Sequence, residues 1–247
     1  MLRFPDAAAL ATAAARDWLA QVEAVNRRGA RHLVALSGGR IARDFFAATV
    51  AAAGVQGVLF ASVHFFWADE RCVPPDDLES NFGMARELLL GPLGVQDEAV
   101  HRIPGELDSG DAAAAAAADL CRRAPVNAAG QPVLDLVILG MGEDGHVASL
   151  FPGEPPDRLT LPLVYRAVIG PKPPPRRVTL GYPALAAASQ VWVLVSGRGK
   201  EAALGESLAS SGQTPLARIL QSRSSTRIYT DIRLEGEFFE QNAAAGV

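Results

Sequence analysis

Short apolar runs alternate with amphipathic or alanine-rich segments along this chain. HLVAL at His32 to Leu36, VHFFWA at Val63 to Ala68, LDLVIL at Leu134 to Leu139 and VWVLV at Val191 to Val195 are nearly continuous apolar stretches rather than alternating ones. Such runs are expected of strands buried on both faces of a parallel sheet. Between them the spacing predicts helices. One runs from Asp6 to Arg28, with Asp6 as N-cap and Gly29 as stop, and another from Arg40 to Ala53, ended by Gly54. Ser80 can cap a helix through Leu90, and Asp111 to Arg123 is rich in alanine, the best helix former. A helix is expected from about Lys200, another at Thr214 to Leu220, and a last short strand at Thr226 to Tyr229. Pro171 to Pro175 excludes helix and central strand, so it reads as an ordered loop leading into Arg176-Arg177-Val178-Thr179-Leu180. Strands separated by helices predict an α/β fold with a parallel sheet covered on both faces. No repeat and no linker is visible, which predicts one domain over residues 1–247.

Composition narrows the function. With 49% hydrophobic and 20% charged residues, the chain has material for a sizeable core. The net charge of −4 provides no long-range attraction for nucleic acid or an anionic membrane, so neither is an expected partner. A small anionic substrate would then need a local basic pocket. No apolar run reaches the ~20 residues of a membrane span. The start MLRFPDAAAL lacks a basic segment followed by an apolar one, so export is not expected and the cytoplasm is. Cys72 and Cys121 lie far apart without metal-type spacing, as for reduced thiols.

The chemistry gathers at strand ends. Four runs break into polar or glycine-rich turns: Ser37-Gly38-Gly39, Asp69-Glu70-Arg71, Gly142-Glu143-Asp144-Gly145-His146 and Ser196-Gly197-Arg198-Gly199-Lys200. In a parallel sheet these ends share one edge, the usual ligand edge of open α/β folds. Glycine lets backbone amides approach a ligand, a following helix N-terminus favours an anion, and Arg and Lys complete a phosphate site. Any one such turn is also ordinary loop chemistry; their coincidence is what points to a site. His146 is placed to act as a general base, because imidazole changes charge near neutral pH, and Asp144 is close enough to orient it. His32, His64 and His101 sit within or beside apolar runs, which suits structural roles.

Competing motifs fail on detail. Gly140 to Gly145 fits G-x-G-x-x-G, but Pro152, Pro155 and Pro156 cut short the helix that a dinucleotide site needs. Leu194 stands where a P-loop requires its first glycine, and Glu201 follows Lys200 where Ser or Thr belongs. No G-x-S-x-G, H-E-x-x-H or paired-cysteine motif occurs, so neither a serine nucleophile of that type, nor a metal, nor another cofactor is expected.

Taken together, SGG at 37–39, WADERCVPPDDLESNFGMA at 67–85, LDLVILGMGEDGHVASLFPG at 134–153, PKPPPRRVTL at 171–180 and VLVSGRGK at 193–200 resemble the 6-phosphogluconolactonase family, in the family's order. Glucosamine-6-phosphate deaminases of the same superfamily look similar around the SGG and EDGH turns. They would show Asn-Glu-Pro after the His segment, where this chain has Ala148-Ser149-Leu150-Phe151-Pro152. The resemblance implies a three-layer α/β/α fold with a mainly parallel, Rossmann-like sheet. It also implies metal-free hydrolysis of a sugar-phosphate lactone, 6-phospho-D-glucono-1,5-lactone, by a monomer or homodimer. It casts His146 as base, Asp144 as its support, and Arg71 at the phosphate or the developing oxyanion. Arg177 and Lys200 fall to the phosphate, and Ser37, Gly38, Gly39 and Asp69 to substrate binding, with Arg40 a substrate-binding candidate of this chain's own. One departure stands out: the family's first turn reads SGGSTP, and here Arg40-Ile41-Ala42 follows the glycines, trading a hydroxyl for a cation. A sugar-phosphate isomerase or deaminase on the same fold, and a non-catalytic sugar-phosphate binder, remain the alternatives.

Overall fold

In the computed structural model, which describes residues 1–234, the chain runs β1 (Leu2–Arg3), α1 (Ala7–Arg28), β2 (His32–Leu36), α2 (Arg40–Gln56), β3 (Val63–Trp67), β4 (Asp69–Arg71) and α3 (Asn81–Ala85). It continues through α4 (Ser109–Arg123), β5 (Leu136–Gly140), α5 (Pro156–Leu159), β6 (Tyr165–Ile169), β7 (Arg176–Leu180), α6 (Tyr182–Ala187), β8 (Gln190–Val195), α7 (Glu201–Leu208), α8 (Pro215–Gln221) and β9 (Arg227–Thr230). Residues 235–247 of the expected domain lie outside the described residues. No helix among the described residues is long and apolar enough to cross a membrane.

Local chemistry sets the helix ends. Asp6 caps α1 by accepting from the Ala9 amide at 2.8 Å, and Gly29 ends it at φ 61°. The expected stop at Gly54 is corrected: Gly54 stays inside α2, and the left-handed residue that ends the helix is Gly57, at φ 69°. A glycine ends a helix where the backbone turns left-handed, not wherever one occurs. Ser80 caps α3 through the Gly83 amide, and a π-helical turn at Arg86–Leu90 then replaces the regular helix expected to run to Leu90.

The main sheet is wholly parallel, in the order β1-β9-β8-β5-β2-β3, and helices flank it in three layers. Trp18, Phe45 and Phe65 are fully buried at the α1–α2 side, with ring centroids of Trp18 and Phe45 5.5 Å apart. Removing a ring such as Trp18 would cost about 3–5 kcal/mol. After β2 the chain builds outward to β3, then returns to lay β5, β8 and β9 on the other side. The order therefore switches between β2 and β5, and a crevice opens at their C-terminal ends.

A second sheet, antiparallel and ordered β4-β7-β6, was not expected from the sequence. Ala68 is the junction. Its amide donates to Leu36 in the main sheet at 2.8 Å, and its carbonyl accepts from Leu180 in the second at 2.7 Å. The Asp69-Glu70-Arg71 turn is therefore a short strand, paired with β7 so that Arg71 lies opposite Arg177.

Candidate active site

The ends of β2, β5 and β8, together with β4, enclose a cleft of about 320 Å³. It is lined by every residue given a catalytic or substrate-binding role from the sequence except Asp144, which stands one step back on His146.

The histidine turn is built by close packing. The Gly142 amide donates to the His146 carbonyl at 2.9 Å, and the Gly145 amide to the Gly142 carbonyl at 3.1 Å. A Cβ on Gly142 would lie 2.1 Å from the His146 ring, so only glycine fits there. Asp144 Oδ1 accepts from the His146 backbone amide at 3.2 Å and sits 2.5 Å from the ring Nδ1. One carboxylate oxygen thus fixes both the backbone and the ring of the histidine. Burial pushes the Asp144 carboxyl up, but the hydrogen bond and charge of His146 outweigh it and hold it below its ordinary value. No hydrogen bond engages His146 Nε2 among the described residues, which leaves that nitrogen to the cleft.

Four cations face the same space in two like-charged pairs. Arg71 and Arg177 are opposed across β4 and β7, a like-charge contact that Glu79 partly relieves by pairing with Arg71 Nη1 at 3.3 Å. Arg177 is buried, donates to the carbonyls of Pro174 and Lys172, and lies over the Phe151 ring, which also touches His146. Burial, then Arg71, lowers its guanidinium below the ordinary value. Lys200 is lowered by burial and then by Arg40, which marks the second pair. Arg40, the departure from the family pattern, thus lies in the cleft beside Lys200 and opens α2.

The first turn supplies neutral donors. Gly39 starts α2 at φ 99° with no side-chain cap, so the first helical amides stay open toward the cleft. Ser37 lines the cleft, and its buried Oγ has no hydrogen-bond partner among the described residues. Asp69 is also in the cleft, with one oxygen held by Ser149 Oγ at 2.7 Å.

The sequence reading missed Asn81, Ser149, Asp44 and Thr214. Asn81 lines the cleft, donates Nδ2 to the Asp69 carbonyl at 3.0 Å, and packs against Gly38. Asp44 lines it from the second turn of α2. Thr214 caps α8 and touches the place where Gly145 would carry a side chain, so α8 buttresses the histidine turn. Ser80-Asn81 was legible only as a helix cap, and its second use depends on a contact with Asp69 that no local spacing reveals.

Known proteins place this geometry in a family. The family of glucosamine-6-phosphate isomerases and 6-phosphogluconolactonase matches residues 5–229. A 6-phosphogluconolactonase of Mycobacterium tuberculosis is 34% identical over 212 residues, covering 84% of this chain and 85% of that one. One from Streptomyces coelicolor is 37% identical over 211 residues, covering 81% and 79%. The structure of 6-phosphogluconolactonase from Trypanosoma brucei superposes with a TM-score of 0.80 at 27% identity, covering 93% and 94%. The chain belongs to the glucosamine-6-phosphate isomerase and 6-phosphogluconolactonase family.

Proposed function

We propose that this chain hydrolyses 6-phospho-D-glucono-1,5-lactone to 6-phospho-D-gluconate, the lactone-opening step of the oxidative pentose phosphate pathway. The observation that carries the reading is the meeting of the His146–Asp144 pair with four cations and an uncapped helix N-terminus in one cleft. In this reading His146 Nε2 takes a proton from a water as its oxygen attacks the lactone carbonyl. Asp144 holds Nδ1–H in place and steadies the imidazolium. The tetrahedral oxyanion then collapses, the ring C–O bond breaks, and the imidazolium returns its proton to the departing ring oxygen. A lactone is an activated ester, so no covalent nucleophile or metal is required. General-base help supplies ~100- to 10,000-fold, and donors aimed at the oxyanion add a similar factor.

Lys200, Arg177 and Arg40, with the amides of Gly38 and Gly39 and the hydroxyl of Ser37, receive the sugar phosphate; Asp69 contacts the sugar. Arg71 serves the phosphate or the oxyanion. The described fold and residues 235–247 are taken as one catalytic domain, working in the cytoplasm as a monomer or homodimer.

The deciding experiment is turnover of freshly prepared 6-phosphogluconolactone with spontaneous hydrolysis subtracted. Catalysed ring opening that survives exhaustive EDTA treatment is the expected result. Ring opening no faster than the blank would remove the lactonase reading, and loss in EDTA restored by a divalent ion would remove the metal-free one. Conversion of glucosamine 6-phosphate in place of the lactone would move the chain to the deaminase branch.

A further inference from the structure

Glu70 lies between two residues that line the cleft, Asp69 and Arg71, yet its own side chain does not line it and is only 2% exposed. Strand geometry requires this, because alternate side chains of β4 leave on opposite faces. The carboxylate has no cation in hydrogen-bond contact and instead collects four donors. Oε1 accepts from the amides of Arg71 at 2.7 Å and Asn81 at 2.8 Å. Oε2 accepts from the amide of Phe82 at 2.8 Å and the hydroxyl of Ser80 at 3.2 Å.

These donors come from the two ends of one excursion. The chain leaves β4 at Arg71, makes the proline-containing loop 72–80, and returns at Ser80 to Phe82. Glu70 closes that loop. The loop in turn carries site residues. Arg71 Nη1 donates to the Glu79 carbonyl at 2.7 Å, so the return limb aims the guanidinium. Asn81 reaches from the same limb to the Asp69 carbonyl and to Gly38, where an added Cβ would lie 1.9 Å from its Oδ1. The Gly38 turn can come this close only because it is glycine and because Asn81 is held still.

Resting on the lactonase reading, we propose that Glu70 is a positioning residue of the active site: by closing the 71–82 excursion, its carboxylate sets Arg71 and Asn81 against the Ser37–Gly39 turn. A buried carboxylate is a costly way to close a loop, since its desolvation weighs against folding. That cost is visible as a carboxyl pushed up to about 7 by burial, against the three backbone amides that pull it down. Its return is a pair of cleft residues held in register, which matters because displacements near 1 Å cost about 100-fold in rate.

The test is a mutant cycle on kcat/KM. Glu70→Gln keeps size and shape but turns an amide NH2 toward donors that need an acceptor. It should lower kcat/KM by roughly 10- to 100-fold, the range expected when a group supporting the site residues is lost. In a background that already carries Arg71→Ala and Asn81→Ala, the same change should cost less than about threefold, because nothing is left for Glu70 to position. The full loss persisting in that background would overturn the proposal. So would a Glu70→Gln protein of lowered Tm with undiminished kcat/KM, because Glu70 would then only hold the loop together. If Glu70→Gln does not fold, Glu70→Asp, with its charge kept and its reach shortened by one methylene, runs through the same cycle with an expected loss of about 3- to 10-fold. Wild-type turnover of the lactone is measured first and judges the lactonase reading separately. If it is absent, the cycle is read on affinity for 6-phosphogluconate, and an affinity unchanged by Glu70→Gln would overturn the positioning role in its turn.

Discussion

Two of the histidine–aspartate pairs among the described residues do different things. His146 and Asp144 sit at the cleft; His101 and Asp119 sit between β3 and α4. Both pairs bring a carboxylate oxygen to a ring Nδ1, at 2.5 Å and 3.1 Å. The difference is in the second nitrogen. His101 Nε2 is 3.0 Å from Nδ1 of His64, and its ring stacks on Phe66 with centroids 4.6 Å apart. Asp119 meanwhile also binds Arg122 and Arg123. Every polar atom of the His101 ring is engaged within the protein, so the pair is a strut. His146 keeps its second nitrogen for the cleft, and its surroundings are glycines, open amides and like-charged cations. A histidine and a carboxylate do not define a base; a free nitrogen facing ligand space does.

The sharpest way to break this contrast is to remove each ring. His146→Ala should lower kcat by 100- to 10,000-fold with little change in Tm, as expected for loss of a general base on a half-exposed turn. His101→Ala should leave kcat within about threefold and lower Tm by a few degrees, since it strands buried partners worth ~1–3 kcal/mol. Steady-state kinetics and thermal unfolding of both variants decide. Comparable losses of kcat would make the strut part of the catalytic machinery and dissolve the distinction.

The cations sharpen the comparison from the ligand's side. Arg122 and Arg123 are satisfied by Asp119, whereas Arg71, paired on one side with Glu79 at 3.3 Å, also faces Arg177, and Lys200 feels Arg40. Only the second set lines the cleft. Unphosphorylated gluconolactone should therefore lose two to four orders of magnitude in kcat/KM, about 3–5 kcal/mol, from two or three missing charge-assisted hydrogen bonds. Lys200→Ala should shrink that preference by roughly tenfold or more, and Arg122→Ala should leave it unchanged. Equal kcat/KM for the two lactones would deny these cations a phosphate role.

Much of this architecture is legible in the chain. The continuously apolar runs at 32–36, 63–68 and 191–195 announce buried parallel strands, and the polar turns at their ends announce the ligand edge. What stays hidden depends on contacts between distant segments. Asp69-Glu70-Arg71 has no apolar alternation, and β4 exists because Ala68 hands the chain from Leu36 to Leu180. Glu70 reads only as one member of a polar strand-end turn until the return of residues 80–82 buries it. Asn81 reads as a helix start, and its place beside Gly38 requires the crossing from β2 to the far end of the loop. The opposition of Arg71 and Arg177 depends on a register that no single segment encodes.

The smallest effect separates the pairs by titration. Burial, and then Arg123, holds His101 down to about 4, against an ordinary 6.5. A base with a lowered folded value is neutral in the native state while the unfolded chain already takes up its proton. Its contribution is thus present above pH 6.5 and is lost as pH falls toward about 4. Glu70 runs the other way. Its carboxyl is raised from 4.5 to about 7, chiefly by burial and with Asp69 alongside, so its contribution is present below pH 4.5 and is lost as pH rises through about 7. Between pH 4.5 and 6.5 the two slopes oppose. Single variants uncover them. His101→Gln should leave Glu70 alone, so stability falls as pH rises across this window; Glu70→Gln should leave His101 alone, so stability rises. Each slope amounts to about 1–2 kcal/mol across the window. Urea unfolding at pH 5 and pH 6.5 measures both. Parallel curves for the two variants would mean that neither group carries the linkage, and the strut would then be a packing feature without a charge state to protect.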